Sequence, residues 1–284
     1  MIHPLAIIVH GGAGAWPNLE LPAAKTGCEA AVQQGWSILS NGGSALDAVE
    51  AAIVALENNP LFNAGTGSCL NQQGEIEMDA SIMEGTQHNA GAVANIKHYK
   101  NPIQLARKVM HDGRHVLLAG DGAEAFAQTQ QCVTCDPAEL RVPTRLKQWQ
   151  HKHGTVGCVA LDAQGQLAAG TSTGGLFDKL PGRISYSALI GCGTYASTSG
   201  AVSCTGIGEA IIRYVLAKTC VDALANNPSA STAVQQVIAH FSATTKSEAG
   251  FILINNKGEI AFAHNCQAMP VAYMNSTGKL QTAH

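Results

Sequence analysis

Thr155 and Thr173 attract attention because they flank a predicted β-hairpin. Residues 162–166 (DAQGQ) have the polar, glycine-containing composition of a tight turn between two apolar runs. If the turn is centred on Gln164, antiparallel pairing places Thr155 directly opposite Thr173. The Cβ atoms of opposed residues lie about 4.5–5.5 Å apart, so the two hydroxyl groups can share a hydrogen bond. This pattern fits an ordinary Thr–Thr strand pair as well as a nucleophile and its partner.

The residues that precede Thr155 give it a chemical role. His153 and Gly154 end a polar segment, and glycine allows the strained backbone through which the Thr155 hydroxyl could attack the preceding carbonyl. An N-to-O acyl shift and hydrolysis would then cut the chain between Gly154 and Thr155. The freed residue carries a hydroxyl nucleophile and an α-amine with a pKa of about 7.7–8.0, which suits a general base. Thr155 is therefore the predicted nucleophile of a self-cleaving amidohydrolase.

Residues 203–209 (SCTGIGE) form a predicted turn from a buried strand into a helix. The backbone N–H groups near Thr205 and Gly206 would lie at the positive end of the helix dipole. Such donors stabilise the oxyanion of acyl transfer, and loss of one typically costs about 3–4 kcal/mol. The same turn fits a structural role in which Thr205 caps the helix.

Arg183 is a candidate for binding a substrate carboxylate. It follows Thr173 in a predicted turn at residues 180–183 (LPGR), and its forked guanidinium group matches carboxylate geometry. An isolated arginine is more often a solvated surface charge, so the sequence leaves both interpretations open.

Other motifs give weaker indications of a cofactor or metal. Residues 120–125 (GDGAEA) fit a relaxed dinucleotide fingerprint, but a polar segment follows instead of a second parallel strand. Cys132 and Cys135 form a CxxC pair without the second pair or spaced histidines of a metal site, so their spacing is interpreted as incidental. His10 is interpreted as a turn or core histidine. No catalytic cofactor is predicted.

Composition narrows the class of protein. The 284 residues are 46% hydrophobic and 13% charged, enough to bury a substantial core. A net charge of -3 without basic runs argues against nucleic-acid binding. The apolar run at residues 5–9 is too short for a signal peptide or a membrane span. The nine cysteines are interpreted as buried thiols. The expected partner is a small molecule or dipeptide, and the expected location is the cytoplasm, with no nucleic acid or membrane involved.

The periodicity predicts a mixture of helices and strands. In the first half we expect strands at residues 5–9, within 68–95 and, buried, at 115–118, with helices at 22–39, 44–58, 103–110 and 122–130. A polar linker is predicted at about residues 130–154. In the second half we expect strands at 156–161, 167–173, 188–192 and 201–204, a helix at 208–224, then one helix and three strands. Because these strands are apolar on both faces, helix–sheet–sheet–helix packing is favoured over a parallel βαβ array.

Several segments together resemble the plant-type asparaginase and isoaspartyl peptidase family, whose members are N-terminal-nucleophile hydrolases. They are residues 10–14 (HGGAG), 59–65 (NPLFNAG), 153–157 (HGTVG), 171–175 (TSTGG), 179–183 (KLPGR) and 204–206 (CTG). The resemblance spans nearly the whole chain and implies an α+β fold, a four-layer αββα sandwich of the N-terminal-nucleophile hydrolase type. It also implies one folded domain cut into an α subunit, residues 1–154, and a β subunit, residues 155–284. Two such pairs would reassociate as a heterotetramer.

The resemblance also implies roles for particular residues. Thr155 would attack the side-chain amide or β-peptide carbonyl of an aspartyl substrate, and Thr173 would position its hydroxyl and amine. The other implied roles are oxyanion binding by Thr205 and Gly206, α-carboxylate binding by Arg183, support of the site by Asn63, and assistance of self-cleavage at Gly154 by Gly11 and Gly12. A structural sodium ion would be bound by the backbone carbonyl groups of Leu56, Glu57, Asn59, Phe62, Ala64 and Thr66.

Tyr186 departs from the family pattern. The motif after the arginine usually supplies an aspartate for the substrate α-ammonium group, and this sequence has Tyr186 there. A phenol is neutral at pH 7 because its unperturbed pKa is about 10, so it cannot replace the carboxylate charge. Tyr186 therefore marks a substrate-binding position whose chemistry has changed. Related threonine aspartases also lack an acid there, and Asp178 is the nearest acid in the sequence.

Three hypotheses follow. The leading one is a self-cleaving amidohydrolase for β-aspartyl (isoaspartyl) dipeptides and L-asparagine. The second is a threonine-type endopeptidase or amidase for substrates that lack a free α-ammonium group. The third is an uncleaved, inactive homologue that acts as a binding protein.

Overall fold

A computed structural model describes residues 3–142, 154–227 and 229–284. The strands are β1 (Ala6–His10), β2 (Met78–Glu84), β3 (Ala90–Ile96), β4 (Leu117–Ala119), β5 (Val156–Leu161), β6 (Leu167–Thr173), β7 (Thr194–Ala196), β8 (Gly200–Gly206), β9 (Ala249–Asn255), β10 (Ile260–His264), β11 (Val271–Asn275) and β12 (Gln281–Ala283). The helices are α1 (Leu21–Ser40), α2 (Ala45–Glu57), α3 (Pro102–Asp112), α4 (Gly120–Thr129), α5 (Gly208–Tyr214), α6 (Leu216–Ala223) and α7 (Ala230–Thr245).

Two sheets organise the fold. The larger has eight strands in the order β12-β11-β1-β5-β6-β2-β3-β4, and the smaller has four in the order β10-β9-β8-β7. All pairs are antiparallel except β3 with β4. The hairpin β5–β6 lies in the middle of the larger sheet, and Val156 pairs with Ser172. This confirms the predicted register and brings Thr155 beside Thr173.

Helices and sheets pack as layers. Helices α1, α2 and α3 contact the larger sheet, while α6 and α7 contact the smaller one. The sheets contact each other through β1 with β9, β5 and β6 with β8, and β2 with β7. Apolar clusters fill each interval. Ile7 of β1 and Val49 of α2 belong to the cluster between the first helices and the larger sheet, Ile8 and Ile252 to the cluster between the sheets, and Phe241 of α7 to the cluster on the smaller sheet. The predicted α+β class is confirmed.

A chain of buried hydroxyl groups crosses the space between the sheets. The His10 Nε2 atom lies 3.1 Å from Ser203 Oγ, which lies 2.7 Å from Thr171 Oγ1. Thr194 donates to Thr171 at 2.6 Å and accepts from Ser81 at 2.8 Å. Burial lowers the pKa of His10 to about 3, so the imidazole is neutral. The interpretation of His10 as a core histidine is confirmed, and the chain satisfies hydroxyl groups that would otherwise be costly to bury.

Four local predictions were wrong or incomplete. The strand predicted as buried at residues 115–118 is the edge strand β4, where Leu117 is 37% exposed. Residues 188–192 are a turn after a 3-10 segment, Tyr186–Ala188, instead of a strand. The helix predicted at 208–224 is broken by Val215, whose φ of 53° is left-handed. A fourth strand, β12, follows the three expected at the end of the chain.

The predicted linker is packed against the body over part of its length. Residues 137–140 form a short 3-10 turn whose Leu140 is buried against Ile76 and Met78. The Gly67 N–H group also donates to the Leu140 carbonyl at 2.8 Å. Residues 143–153, which include Pro143 and His153, lie outside the described residues.

Candidate active site

The hydroxyl groups of Thr155 and Thr173 meet at the open end of the β5–β6 hairpin. Thr155 Oγ1 donates to Thr173 Oγ1 at 3.1 Å, and both residues are buried. Thr173 Oγ1 also accepts from the Gly175 N–H group at 3.1 Å, which holds the side chain in place. The hairpin therefore presents one hydroxyl group, Thr155, to a fixed acceptor. This arrangement would orient the Thr155 hydroxyl as a nucleophile and provide an acceptor for its proton.

Asn63 holds the backbone on both sides of this pair. Its N–H group donates to the Gly154 carbonyl at 3.2 Å, and its side-chain amide donates to the Gly175 carbonyl at 2.8 Å. The Asn63 carbonyl accepts from Gly174 at 2.8 Å, and its Oδ1 accepts from Cys69 at 2.9 Å. The donor on the Gly154 oxygen polarises the carbonyl that Thr155 would attack. Asn63 thus supports the geometry that an acyl shift requires.

The glycine turn after β1 approaches the site through Ala13. The Ala13 N–H group donates to Thr205 Oγ1 at 3.0 Å. Gly12 has a φ of 107°, which favours glycine, and a Cβ atom on Gly11 would lie 2.5 Å from the Phe62 ring. These glycines allow the turn to pack closely against residues 59–65, here called the Asn63 segment.

Tyr186 makes the contact that sequence reasoning missed. Its hydroxyl donates to Thr155 Oγ1 at 2.6 Å and accepts from the Gly206 N–H group at 3.1 Å. Burial raises the pKa of Tyr186 to about 12, although its hydrogen bonds with Thr155, Thr205 and Gly206 act in the opposite direction. The phenol is therefore protonated at neutral pH and directly contacts the candidate nucleophile.

Gly206 lines the same cavity as Thr155, but the surroundings of Thr205 and Gly206 differ from expectation. Thr205 lies within β8, and Ile207 occupies the N-cap position of α5, so Thr205 is not the helix cap. Gly206 has a φ of 137°, and its N–H group points to the Tyr186 oxygen. The candidate oxyanion donor thus has a partner within the chain.

Arg183 lies at the edge of the same site. Its Nε and Nη2 atoms donate to Glu209 Oε1 at 3.0 and 2.9 Å. Its side chain is 15% exposed, whereas that of Glu209 is 55% exposed. Because a guanidinium group has five N–H donors in a forked arrangement, the contact with Glu209 is compatible with binding of a second carboxylate.

Glu77, just before β2, and Asp79, within β2, anchor the loop that carries Arg183 and Tyr186, residues 174–188, here called the Arg183 loop. Asp79 Oδ2 accepts from the Ser185 N–H group at 2.8 Å, and Glu77 accepts from Gly182 at 3.2 Å. Lys179 Nζ donates to the Glu77 carbonyl at 2.6 Å. Burial raises the pKa of Asp79, while Lys179 and the two N–H donors act against the shift. In the sequence, the feature that could have indicated this role is Asp79, an acidic residue within the largely apolar β2.

The cavity beside Thr155 is nearly filled. Its volume is about 10 Å³, which is roughly the space for one water molecule. Its lining includes Gly154, Thr155, Thr173, Arg183, Tyr186 and Gly206. The structure therefore assembles the predicted site residues but leaves no room for an amide substrate until a side chain moves.

Ser172 is a rival nucleophile by sequence, because residues 170–174 (GTSTG) match the GxSxG pattern. Ser172 lies inside β6 instead of on a strand-to-helix elbow, and it is fully buried. Its hydroxyl donates to Glu57 Oε1 at 2.6 Å. Ser172 therefore has a structural partner and faces away from the Thr155 cavity.

Both side chains and backbone carbonyl groups are candidate metal ligands. Among the residues that the structure describes, there is no group of three or more His, Cys, Asp or Glu side chains that could hold a metal ion. In the segment predicted to bind sodium, the Glu57 carbonyl accepts from the Thr66 N–H group at 2.8 Å. Gly65, with a φ of 55°, helps the loop return to the end of α2. The backbone is thus wound compactly at the predicted position.

The CxxC pair lies far from this chemistry. Cys132 and Cys135 are free, half-buried thiols beside a cavity of about 740 Å³ next to α3. Burial raises the pKa of both thiols, which makes them less reactive. All nine cysteines are free, and six are buried. Within the described ranges, no helix has the length and apolar character needed to cross a membrane.

Comparison with known proteins gives a consistent result. A family model described as "Asparaginase" matches residues 3–153 and 150–284. The chain is 42% identical to the plant-type L-asparaginase of Pyrococcus abyssi over 301 residues, covering 95% of this chain and 96% of that protein. It is 40% identical to the isoaspartyl peptidase/L-asparaginase of Mus musculus over 296 residues, covering 98% of this chain and 90% of that protein. With its threonine pair assembled and these matches over nearly its whole length, the chain belongs to the asparaginase family.

Proposed function

We propose that this chain cuts itself between Gly154 and Thr155 and then hydrolyses β-aspartyl dipeptides and L-asparagine. The observation that carries the proposal is the contact between Thr155 Oγ1 and Thr173 Oγ1, next to a Gly154 carbonyl that Asn63 polarises. The names of the similar proteins, plant-type L-asparaginase and isoaspartyl peptidase/L-asparaginase, support the two substrates.

Self-cleavage follows from the placement of these groups. Thr155 Oγ1 attacks the Gly154 carbonyl carbon as its proton passes toward Thr173, and the Asn63 N–H group holds the developing oxyanion. The C–N bond then breaks, the Thr155 nitrogen takes a proton, and an ester joins Gly154 to Thr155 Oγ1. Water hydrolyses that ester and releases the Gly154 carboxylate and the Thr155 amine.

Turnover reuses the same hydroxyl group. The freed amine of Thr155 accepts the hydroxyl proton while Oγ1 attacks the substrate amide, and the amine then protonates the leaving nitrogen. Thr205 and Gly206 would hold the oxyanion, and Arg183 would bind the substrate α-carboxylate. Water releases aspartate from the acyl-enzyme and regenerates Thr155.

The second candidate, an amidase or endopeptidase for substrates without a free α-ammonium group, is favoured by Tyr186. The neutral phenol lies at the nucleophile where the family resemblance leads us to expect a carboxylate. An α-ammonium group brought there would lose water without gaining a counter-charge. Substrates with an acylated α-nitrogen would avoid that cost.

The proposal also covers the assembly. We expect the layers to form the αββα sandwich of N-terminal-nucleophile hydrolases, with residues 1–154 and 155–284 as the α and β subunits of one domain. Two cut pairs would form the heterotetramer, and the cytoplasm remains the predicted location. The compact loop at residues 56–66 fits a structural sodium ion, because backbone carbonyl oxygens keep a second lone pair for a cation. Such an ion would brace the Asn63 segment.

Electrophoresis tests self-cleavage. The purified 29.4 kDa protein should separate into two fragments, one of which begins at Thr155 by N-terminal sequencing. The Thr155→Ala variant should stay intact and inactive because it has no nucleophile. A single band that persists in the unaltered protein would favour the third hypothesis, an uncleaved binding protein.

A substrate panel separates the two enzyme hypotheses. Matured protein would be assayed with β-aspartyl dipeptides, L-asparagine and N-acetylated analogues, alongside the Tyr186→Asp variant. Faster hydrolysis of the free dipeptides supports the leading proposal. Rates on the N-blocked analogues at least equal to those on the free ones support the second candidate, and Tyr186→Asp should then shift preference toward the free α-ammonium.

A further inference from the structure

The Tyr186 oxygen lies where the oxygen of an attacked carbonyl group would lie. It is 2.6 Å from Thr155 Oγ1 and accepts the Gly206 N–H group at 3.1 Å. In a tetrahedral intermediate, the oxyanion is close to the nucleophilic oxygen and about 2.7–3.1 Å from the donors of the oxyanion hole. The phenol oxygen thus accepts the hydrogen bond from the Gly206 N–H group that the proposed reaction assigns to the substrate oxyanion.

The Tyr186 ring packs against the core in that position. It belongs to the apolar cluster under the smaller sheet, and a Cβ atom on Gly193 or Gly208 would lie 2.8 or 3.2 Å from ring atoms. The Tyr186 carbonyl accepts from the Leu189 N–H group at 3.0 Å. Because the residue is 3% exposed, the hydroxyl reaches the site from within the core instead of from solvent.

We propose that Tyr186 is an internal occupant of the oxyanion site, which restrains the Thr155 hydroxyl and must be displaced by the carbonyl group of a substrate. This inference rests on the proposed role of Thr155 as nucleophile. It goes further because it assigns the phenol an inhibitory contact, defined as its two hydrogen bonds with Thr155 and Gly206.

The inhibitory contact has two consequences. In the uncut chain, donation from Tyr186 engages one lone pair of Thr155 Oγ1 and lowers its nucleophilicity toward the Gly154 carbonyl. In the matured enzyme, the substrate carbonyl competes with the phenol for the Gly206 N–H group. The cavity beside Thr155 has a volume of only about 10 Å³, which is too small for a substrate amide while the phenol keeps its position. Both self-cleavage and turnover should therefore be slower than they would be without the Tyr186 hydroxyl group.

The test removes only the hydroxyl group. Tyr186→Phe should self-cleave faster than the unaltered chain and should raise kcat/KM by about tenfold, since each neutral hydrogen bond contributes modestly. Tyr99→Phe is the matched control, because Tyr99 is also buried and its hydroxyl donates to the distant Glu124 carbonyl at 3.4 Å. The control should leave both rates unchanged.

The self-cleavage time course needs no substrate, so it separates the two proposals. If both forms mature and hydrolyse substrate at equal rates, or if Tyr186→Phe is slower in both reactions, the inhibitory contact is wrong while the proposed function stands. If neither form cuts itself, the proposed function fails. If Tyr186→Phe cuts itself and the unaltered chain does not, the inhibitory contact is supported even if the substrate assignment is wrong.

A second measurement uses the unaltered protein in case the variant does not fold. A crystal structure of the matured enzyme with aspartate bound should place the Tyr186 hydroxyl beyond hydrogen-bonding distance of the Gly206 nitrogen. A ligand carboxylate oxygen should take its position there. Aspartate bound at Arg183 with the phenol still on Gly206 would overturn the inference.

Discussion

The two sides of the Thr155 hydroxyl group are built by different means. On one side, the β5–β6 hairpin positions Thr173 through the backbone hydrogen bonds of the larger sheet. On the other side, the Arg183 loop positions Tyr186 through side chains of β2, chiefly Asp79. The first side depends on a regular ladder, and the second depends on individual polar contacts.

The two sides differ in how readily they can accept a change of sequence. A strand register is cooperative, since a slip of one residue would turn every side chain of the hairpin to the opposite face. A loop held by a few carboxylates can accept a new residue, such as Tyr186, without disturbing the sheet. We therefore expect changes on the hairpin side to affect all chemistry and changes on the loop side to affect substrate handling.

The largest expected effect is that of Thr173→Val on the hairpin side. Valine keeps the shape but removes the hydroxyl that accepts from Thr155, so self-cleavage and kcat should each fall by about 100-fold or more. Gel densitometry and initial rates measure the two losses. Thr173→Ser, which keeps a hydroxyl, should recover most of both; no recovery would contradict the proposed role.

Arg183→Gln should produce the next largest effect, on substrate binding alone. Loss of charge-assisted hydrogen bonds to the substrate carboxylate should raise KM by about tenfold to a hundredfold with little change in self-cleavage. Steady-state kinetics on matured protein measure the change. Arg213→Gln is the control, because Arg213 also contacts Glu209 but lies outside the cavity lining. An equal rise in KM for both variants would show that the effect is not specific to Arg183.

Asp79→Asn sharpens the comparison by loosening the Arg183 loop. Asparagine has one acceptor oxygen for two N–H donors, those of Ser185 and Asn95, so the loop should lose its fixed position. We expect kcat/KM to change by about tenfold while self-cleavage is at least as fast as in the unaltered chain. The exposed Asp222→Asn serves as the control. A block of self-cleavage would show that the two sides are not separable.

The smallest expected effect is on the pH dependence of the free energy of unfolding, through His10, which pairs with Gly157 of the hairpin. The pKa of His10 is about 3 in the folded chain and about 6.5 when unfolded, so the unfolded state binds more protons. The free energy of unfolding should therefore fall as the pH decreases below about 6.5, by up to about 2 kcal/mol near pH 5. Urea titrations of His10→Asn should show a shallower dependence. The exposed His115→Gln should not, and an unchanged slope in His10→Asn would contradict the prediction.

The elements that were predictable are those with short-range signals. The turn at residues 162–166 set the register of β5–β6 because Asp162 accepts from Gln164 and Gln166 within the turn itself. Ser44 caps α2 by accepting from the Asp47 N–H group, and the helix predicted at residues 44–58 begins there. In both places, neighbouring residues satisfy one another, so composition and spacing were sufficient.

The failures occurred where distant packing decided the conformation. Residues 188–192 are apolar and were interpreted as a strand, but they form a turn in which the Cys192 N–H group donates to the Leu189 carbonyl at 3.0 Å. Val215 interrupts the predicted long helix with a left-handed conformation, which no local composition signals for a β-branched residue. β4 lies at a sheet edge, so its apolar residues remain partly exposed.

The sequence by itself predicted a candidate nucleophile, its threonine partner and a class of chemistry, since these depend on residue types and on the register of one hairpin. Only the tertiary structure decided what faces the Thr155 hydroxyl group from the other side. Thr155 and Tyr186 are 31 residues apart, and their contact exists because β2 holds the Arg183 loop while the core under the smaller sheet holds the phenol ring. Contacts of this kind depend on packing between sheets, which sequence spacing alone does not specify.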